Sequence, residues 1–584
     1  MKHSTLITLR TFLVLVITLS FLAGMNEPVQ AASCTWTGST STNWTDPSNW
    51  SCGHVPGASD DVVIPVTAND PVYSENLGFD LNAIEIQADA TLKIANAYNI
   101  VLDAMIWQID GALWFKPTGT YLDMEINEEY RNGVVNIGSS GDLDLDCQGG
   151  ALRIYSTFNN AGMVESLASA SGIALMGNGV HTGEFADLPS LQLASVDPGA
   201  EFVFQSTSAL TIKNFSVTSG HAFIYGSYSP WGESTALTID ASIPAHPPSV
   251  TINSTSVTMP EYTNINPGTT LAVKSPLAIP RLYLAGNLNN TSSINVTDYF
   301  LWSGGRFTGD GTTTVQTNTT STIRPYLGGS MVAQTLSLAS TTNWDEYNIT
   351  LSSSAAIINN GIFNANATTT MTGEATESFV NNGSFIKKTA GTTTTMDIPF
   401  TNNGTVETVA GTLIFQQGME NGEDALIDLG GGTLDPGNEL ILESGDSLIG
   451  SGTLAADLVN GGTVSPGKSP GIITVQGNYT QQTDGVLEIE LGGTIAGTSF
   501  DQLIVTGTAT LNGTLNVTLL PAYTPQAGDT FIIIDHATGT GTFDSINLPS
   551  LPGGLELKAD FSGDGVTLTV VGRSSFIFLP LILK

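Results

Sequence analysis

From Ala32 onward, hydrophobic and polar residues alternate in short runs instead of recurring at helical spacing. Asp61-Val62-Val63-Ile64, Thr91-Leu92-Lys93-Ile94, Val486 to Leu491 (VLEIEL) and Thr567-Leu568-Thr569-Val570 each place their apolar residues on one face. Gly, Asn, Asp, Ser or Pro bounds each run, which is the signature of strands joined by tight turns. The pattern predicts an all-β chain.

The strands also repeat. Asn-Asn-Gly, with an apolar residue two positions after the Gly, occurs at Asn359-Asn360-Gly361, Asn381-Asn382-Gly383 and Asn402-Asn403-Gly404. Gly-Thr-Leu recurs from Gly411, Gly432 and Gly452, and Asn159-Asn160-Ala161-Gly162 is an earlier relative. A period of about 20 residues accommodates three short strands and three turns, one coil of a β-solenoid. Asn residues in register on successive coils are expected to hydrogen-bond in ladders. Seven prolines between Pro244 and Pro280 interrupt the series, and the last hundred residues lose the Asn-Asn-Gly turns and lengthen their strands. That final segment is expected to cover the open edge of the solenoid, which would otherwise template aggregation.

The N-terminus reads as an address. Lys2 and Arg10 precede an apolar run from Thr11 to Gly24, and Val29-Gln30-Ala31 is a small-residue cleavage site, so residues 1–31 are expected to be a signal peptide. The run is about 14 residues, short of the roughly 20 needed to span a bilayer. The chain is therefore divided into a signal peptide (1–31), a Trp-rich cap (32–66), a solenoid (67–243), a Pro-rich seam (244–283), a solenoid with Asn-Asn-Gly repeats (284–470), a C-terminal β domain (471–573) and an apolar tail (574–584). The tail, FIFLPLIL before Lys584, reads either as a last strand or as a surface-retention signal, and is too short to span.

Composition narrows the partners. Hydrophobic residues make up 41 % and charged residues 12 %, with 17 Lys+Arg against 53 Asp+Glu and a net charge of −36. Such a surface repels phosphate backbones and excludes nucleic acid as a partner. Export places the cysteines in an oxidising space. Cys34 and Cys52 flank a Trp-rich segment and are expected to pair, closing a loop of about 18 residues worth roughly 3 kcal/mol; Cys147 is left as a buried thiol. Trp36, Trp44 and Trp50 are expected to cover the first coil, the alternative being a sugar-stacking platform.

The stretch Trp36-Thr37-Gly38, Asn43-Trp44, Asn49-Trp50, Gly53, Pro56 and Asp60 to Ile64 resembles the N-terminal segment of many bacterial secreted β-helix proteins. Gly461 to Gly467 (GGTVSPG), Ser469-Pro470-Gly471, Gly477 to Gln481 (GNYTQ), Phe500-Asp501-Gln502-Leu503 and Gly513-Thr514-Leu515 resemble the repeats of autotransporter passenger domains and related adhesin-like surface proteins. The resemblance implies a right-handed parallel β-helix with an aromatic N-terminal cap and a C-terminal β-rich capping domain. It further implies a secreted or cell-surface protein with a structural or adhesin-like role, meeting an extracellular or cell-envelope glycan or protein. No translocator barrel follows the passenger-like part, so export is expected through the signal peptide.

One acidic constellation carries candidate chemistry. Alternation in Leu122 to Asn127 places Asp123 and Glu125 on one strand face, and Asp142 to Cys147 does the same for Asp142 and Asp144. The offset between the two segments, read as one coil, predicts Asp123 beside Asp142 and Glu125 beside Asp144. Four carboxylates so close call for solvation, protons or a hard cation, most plausibly Ca²⁺. The other reading is a solvated acidic face. With Trp114, Tyr121, Tyr130, Arg131, Arg153 and Tyr155 nearby, the cation reading gives a calcium-dependent polysaccharide-binding or polysaccharide-cleaving protein. A lyase requires Arg131 or Arg153 on the carboxylate face. Gly467-Lys468-Ser469-Pro470-Gly471 matches the spacing of a nucleophile elbow but lies in a repeat turn with no helix following, and is read as a turn.

Overall fold

The computed structural model describes residues 32–95, 99–116, 124–146, 151–166, 172–195, 197, 199–241, 247–326, 328–561 and 564–573. The expected signal peptide, the apolar tail, Asp123 and Cys147 lie outside them. Among the described residues there are 58 strands and one short 3-10 turn, Pro47–Asn49. The strands wind into a parallel β-solenoid of about 19 coils. The all-β, coiled architecture is as the repeat predicts.

Each coil contributes strands to three parallel sheets, and each strand hydrogen-bonds to its counterpart one coil earlier and one coil later. The first sheet holds Asp61–Ile64 and Val134–Ile137, the second Met124–Ile126 and Ala151–Ile154, and the third Ala112–Phe115, Asp142–Leu145 and Met163–Ser166. A four-residue strand alternates half-buried and buried positions, so each strand sends two side chains inward and two outward. Inward residues form columns: Leu113, Leu143, Val164, Phe185 and Leu210 stand in register on five coils, each at most 1 % exposed. Further along, Phe363 stacks on Phe385 (5.2 Å between centroids) and Phe379 on Phe400 (5.2 Å). Strands Ser249–Ile252, Tyr262–Ile265 and Thr270–Val273 in the Pro-rich stretch pair on both sides, so the ladder runs through it.

Polar side chains inside the coil are satisfied by the same stacking. Asn359, Asn381 and Asn402 are fully buried and form a ladder, with Asn359 Nδ2 donating to Asn381 Oδ1 (2.7 Å) and Asn381 Nδ2 to Asn402 Oδ1 (2.9 Å). A parallel ladder of their exposed neighbours joins Asn403 to Asn382 and Asn382 to Asn360, at 2.9 Å each. The second Asn of each triplet thus works in solvent and the first in the core.

Both ends are closed. At the start, Trp36, Trp44 and Trp50 are at most 3 % exposed, and Trp50 makes edge contacts with both others at 5.0 and 4.6 Å. Their indole N–H groups donate to backbone carbonyls, Trp36 to Asn69 and Trp50 to Trp44, both at 2.7 Å. Buried rings offer no sugar platform, so the cap reading stands. Cys34 and Cys52 form the expected disulfide. At the other end, Thr530–Gly541 pairs in parallel with Gln502–Leu511 and antiparallel with Gly565–Gly572, which in turn pairs antiparallel with Leu555–Asp560. That reversal of strand direction ends the coiling.

One core residue is chemically out of place. His181 is fully buried among Phe158, Phe185 and Phe204, with ring centroids 4.8–5.7 Å away, and neither ring nitrogen has a partner. Burial pushes its pKa down to about 3. The unfolded chain takes up this proton near pH 6.5, so stability falls as pH drops below that value.

Two outcomes follow from the core. Asn381→Ala should cost about 1–3 kcal/mol in denaturant unfolding by removing the middle rung of the buried ladder, whereas Asn382→Ala in the exposed ladder should stay within about 0.5 kcal/mol. Thermal melts of His181→Phe and the wild type should differ by a constant amount at and above pH 8. The variant should gain steadily on the wild type as pH falls from 6.5 to 4.

Candidate functional site

Strand register decides which outward side chains meet, and it does not stack the acidic segments as their offset predicts. Met124–Ile126 belongs to the second sheet and Asp142–Leu145 to the third, with the first-sheet strand Val134–Ile137 between them in the chain, so they lie on different sides of the solenoid and not on successive coils of one sheet. Asp142 stands over Ala112 of the preceding coil and under Met163 of the next. The reason is a coil lengthened between Phe115 and Val134, which sequence spacing cannot distinguish from a standard one. Glu125 therefore does not neighbour Asp144.

Glu125 lies instead with the two arginines. It is in register with Arg153, whose Nη1 is 3.5 Å from Glu125 Oε1, and Tyr155 Oη donates to the same oxygen at 3.3 Å. Arg131 sits over the Tyr155 ring at 5.1 Å and donates to the Glu128 carbonyl. Burial and the nearby Glu128 raise the Glu125 pKa. Both arginines thus gather around Glu125 and Tyr155, on a different side of the coil from Asp142 and Asp144. Arg153 shares a face with Glu125, one of the four candidate carboxylates, while neither arginine lies on the side that carries Asp142 and Asp144.

The third sheet assembles a different group. Lys93, Trp114, Asp144 and Glu165 form one outward column, with Ala112, Asp142, Met163 and Glu184 beside it. Ligand oxygens of Asp142, Asp144 and Glu165 all lie within 4.8 Å of one another, at half-buried positions. Desolvation, and then the Asp142 charge, push the Asp144 pKa up to about 7; Asp142 is raised too, by burial and then Glu165. One coil earlier, the Trp114 ring carries Lys116 at 4.7 Å and Lys93 at 5.5 Å over its faces, and Lys116 also pairs with Asp146 at 2.9 Å. The site therefore passes from cationic and aromatic to acidic along the column.

A groove of about 460 Å³ adjoins the carboxylates, lined by Ser139, Ser140, Asp142, Met163, Glu184 and Thr207. Its floor is a glycine corner. A Cβ on Gly162 would collide with the Gly141 carbonyl oxygen, and one on Gly183 with that of Gly162, so only glycine lets these turns stack so closely. Sequence reasoning named Asp142, Asp144 and Trp114 but missed Glu165, Lys93 and Lys116. The Asn-Asn-Gly period visible at 359–404, applied from Asp144, reaches Glu165 and would have found it.

The turn from Gly467 to Gly471 joins strands Thr463–Pro466 and Ile472–Val475, with no helix after it. Lys468 spends its charge on Asp428 (2.7 Å) and Glu407 (3.7 Å).

Fold and site together define a capped parallel β-solenoid with an outward acidic cluster beside an aromatic–lysine strip. A family profile described as Domain of unknown function (DUF8693) matches residues 35–137, the cap and first coils. No curated protein matches the sequence. Among solved structures, the crystal structure of the Haemophilus influenzae Hap adhesin aligns with a TM-score of 0.32 and 12 % identity, over 84 % of this chain and 64 % of that one. The chain thus spans just under two thirds of that protein's length, and a superposition this loose carries no argument about function. Among the described residues, no helix is long and apolar enough to cross a membrane.

Asp144 yields a pH prediction. Its folded pKa is about 7 against 3.8 unfolded, so the native state holds a proton that the unfolded chain has released. The resulting destabilisation grows as pH rises from about 4 to 7 and is fully present above. Asp144→Asn should therefore melt higher than the wild type at pH 8 and equally near pH 4.

Proposed function

We propose that this chain is a secreted or cell-surface β-solenoid with a structural, adhesin-like role, acting by contact with an extracellular or cell-envelope glycan or protein. The observation that carries this reading is that the ladder is continuous and both ends are closed, leaving long lateral faces as the available surface. About 19 coils at roughly 4.8 Å per coil give a rod about 90 Å long. The disulfide fits an oxidising compartment. A net charge of −36 keeps such rods apart and steers them from anionic polymers, except where Lys93 and Lys116 flank Trp114.

A second reading is favoured by one specific observation, the convergence of Asp142, Asp144 and Glu165 beside that strip. Three carboxylates at this spacing suit a hard cation such as Ca²⁺ bridging an acidic glycan. Alternatively, a protonated Asp144 beside an ionised carboxylate supplies the acid and base of glycoside cleavage.

The test is to apply the purified chain to a panel of acidic and neutral polysaccharides, with and without Ca²⁺, reading retention and new chain ends. Retention without new ends is expected. New ends that disappear in Asp144→Asn and Glu165→Gln would replace the contact role by catalysis at the triad. No retention on any glycan would move the partner to protein.

A further inference from the structure

We propose that the outward face running from Tyr326 and Tyr347 across strand Ile349–Ser352 to the groove beside Ser353 binds a neutral polysaccharide. This rests on the contact role proposed above and names the glycan and its place on the rod. Only three aromatic rings are exposed among the described residues, and Tyr326 (54 %) and Tyr347 (48 %) are the most exposed of them. Register makes these two a pair. Ile323 stands opposite Trp344 on adjacent strands, and each tyrosine follows its strand residue by three positions. They therefore hold equivalent places at one corner of consecutive coils, which are spaced by about 4.8 Å.

One of the two rings is held outward at a backbone cost. Tyr347 lies in the left-handed region (φ 64), which a bulky side chain rarely occupies. The buried Trp344 fixes this turn, its indole N–H donating to the Tyr347 carbonyl at 2.9 Å. Strain of this kind persists only where the surrounding structure enforces it, and it gathers at ligand sites. Exposed phenol rings offer the C–H groups of a sugar an apolar surface while their hydroxyls stay in water.

The strand after this corner carries the polar half of the site. Ile349 and Leu351 are buried, while Thr350 and Ser352 face outward. Thr350 stands in a column with Ser330 and Thr372, and Thr372 Oγ1 donates to Thr350 Oγ1 at 3.3 Å. At the far end of the strand a groove of about 620 Å³, a volume usual for ligand sites, is lined chiefly by Thr350, Ser352, Ser353, Thr372 and Thr376, with Glu374 and Glu377. Glu377 is buried and already accepts from the Ser354 and Glu374 N–H groups and the Thr376 hydroxyl, so its charge is spent within the protein. Beside the tyrosines, exposed Arg324 and Glu346 offset each other. Hydroxyls donate and accept alike, which matches the hydroxyls of a neutral sugar chain. The exposed Glu374 and the net charge of −36 disfavour an acidic one.

The test runs the full chain through native gels containing a soluble β-glucan, a mannan or polygalacturonate. EDTA is present throughout, so that no cation bridges a glycan to Asp142, Asp144 and Glu165. Retardation by at least one neutral polymer, and none by polygalacturonate, is expected. Tyr326→Ala/Tyr347→Ala should weaken binding about tenfold or more, and Thr350→Val/Thr372→Val should weaken it as well. Tyr347→Gly separates binding from folding. It should weaken binding yet melt no lower than the wild type, because glycine adopts the left-handed turn freely. Retardation by a neutral polymer that is unchanged in the tyrosine double variant would overturn this assignment and leave the contact role standing. Retardation by polygalacturonate alone would overturn it too. No retardation in any gel would overturn both this assignment and the glycan arm of the contact role.

Discussion

The structure depends on the in-register hydrogen-bonded pairing of each strand with the strand one coil away. That pairing satisfies the backbone along the chain, fixes which side chains face inward, and stacks like on like. Columns such as Leu113–Leu143–Val164–Phe185 follow from it, because a one-residue slip would turn every apolar side chain outward. The closed ends follow as well. A parallel ladder leaves a row of unpaired amides at each end; the tryptophan cluster overlies the first coil, and at the other end the antiparallel strands break the parallel repeat.

The same constraint governs chemistry on the surface. Residues one coil apart in sequence become neighbours at strand spacing, so a coil-to-coil column is the unit in which sites are built. Asp144–Glu165 and Lys93–Trp114 are both such columns. Where carboxylates stack at half-buried positions, desolvation and then the neighbouring charge raise the pKa, as for Asp144. Where amides stack, they bond one another, as in the buried Asn359–Asn381–Asn402 ladder. The outward faces therefore carry polar groups whose ionisation is set by the coils above and below.

Much of this was legible in the sequence. Alternation in short runs and the Asn-Asn-Gly period identify the coiled all-β fold, and the Trp and Cys spacing identifies the cap, because each is a local signal. Register over an irregular coil is not local. The chain between Phe115 and Val134 is longer than a standard return, so the offset from Glu125 to Asp144 joins two sides of one coil. The carboxylate pair Asp142 and Asp144 was legible from alternation, while Glu165 needed the correct coil length.

The most direct test of the account is the register itself. Cysteines at positions 144 and 165 stand on adjacent rungs, at a spacing of about 4.8 Å that a disulfide spans. Under mild oxidation, with peptides mapped by mass spectrometry, the Asp144→Cys/Glu165→Cys pair should cross-link efficiently and the Asp144→Cys/Glu125→Cys pair should not. Efficient cross-linking of 144 to 125, with none to 165, would contradict the coil assignment on which every site described here rests.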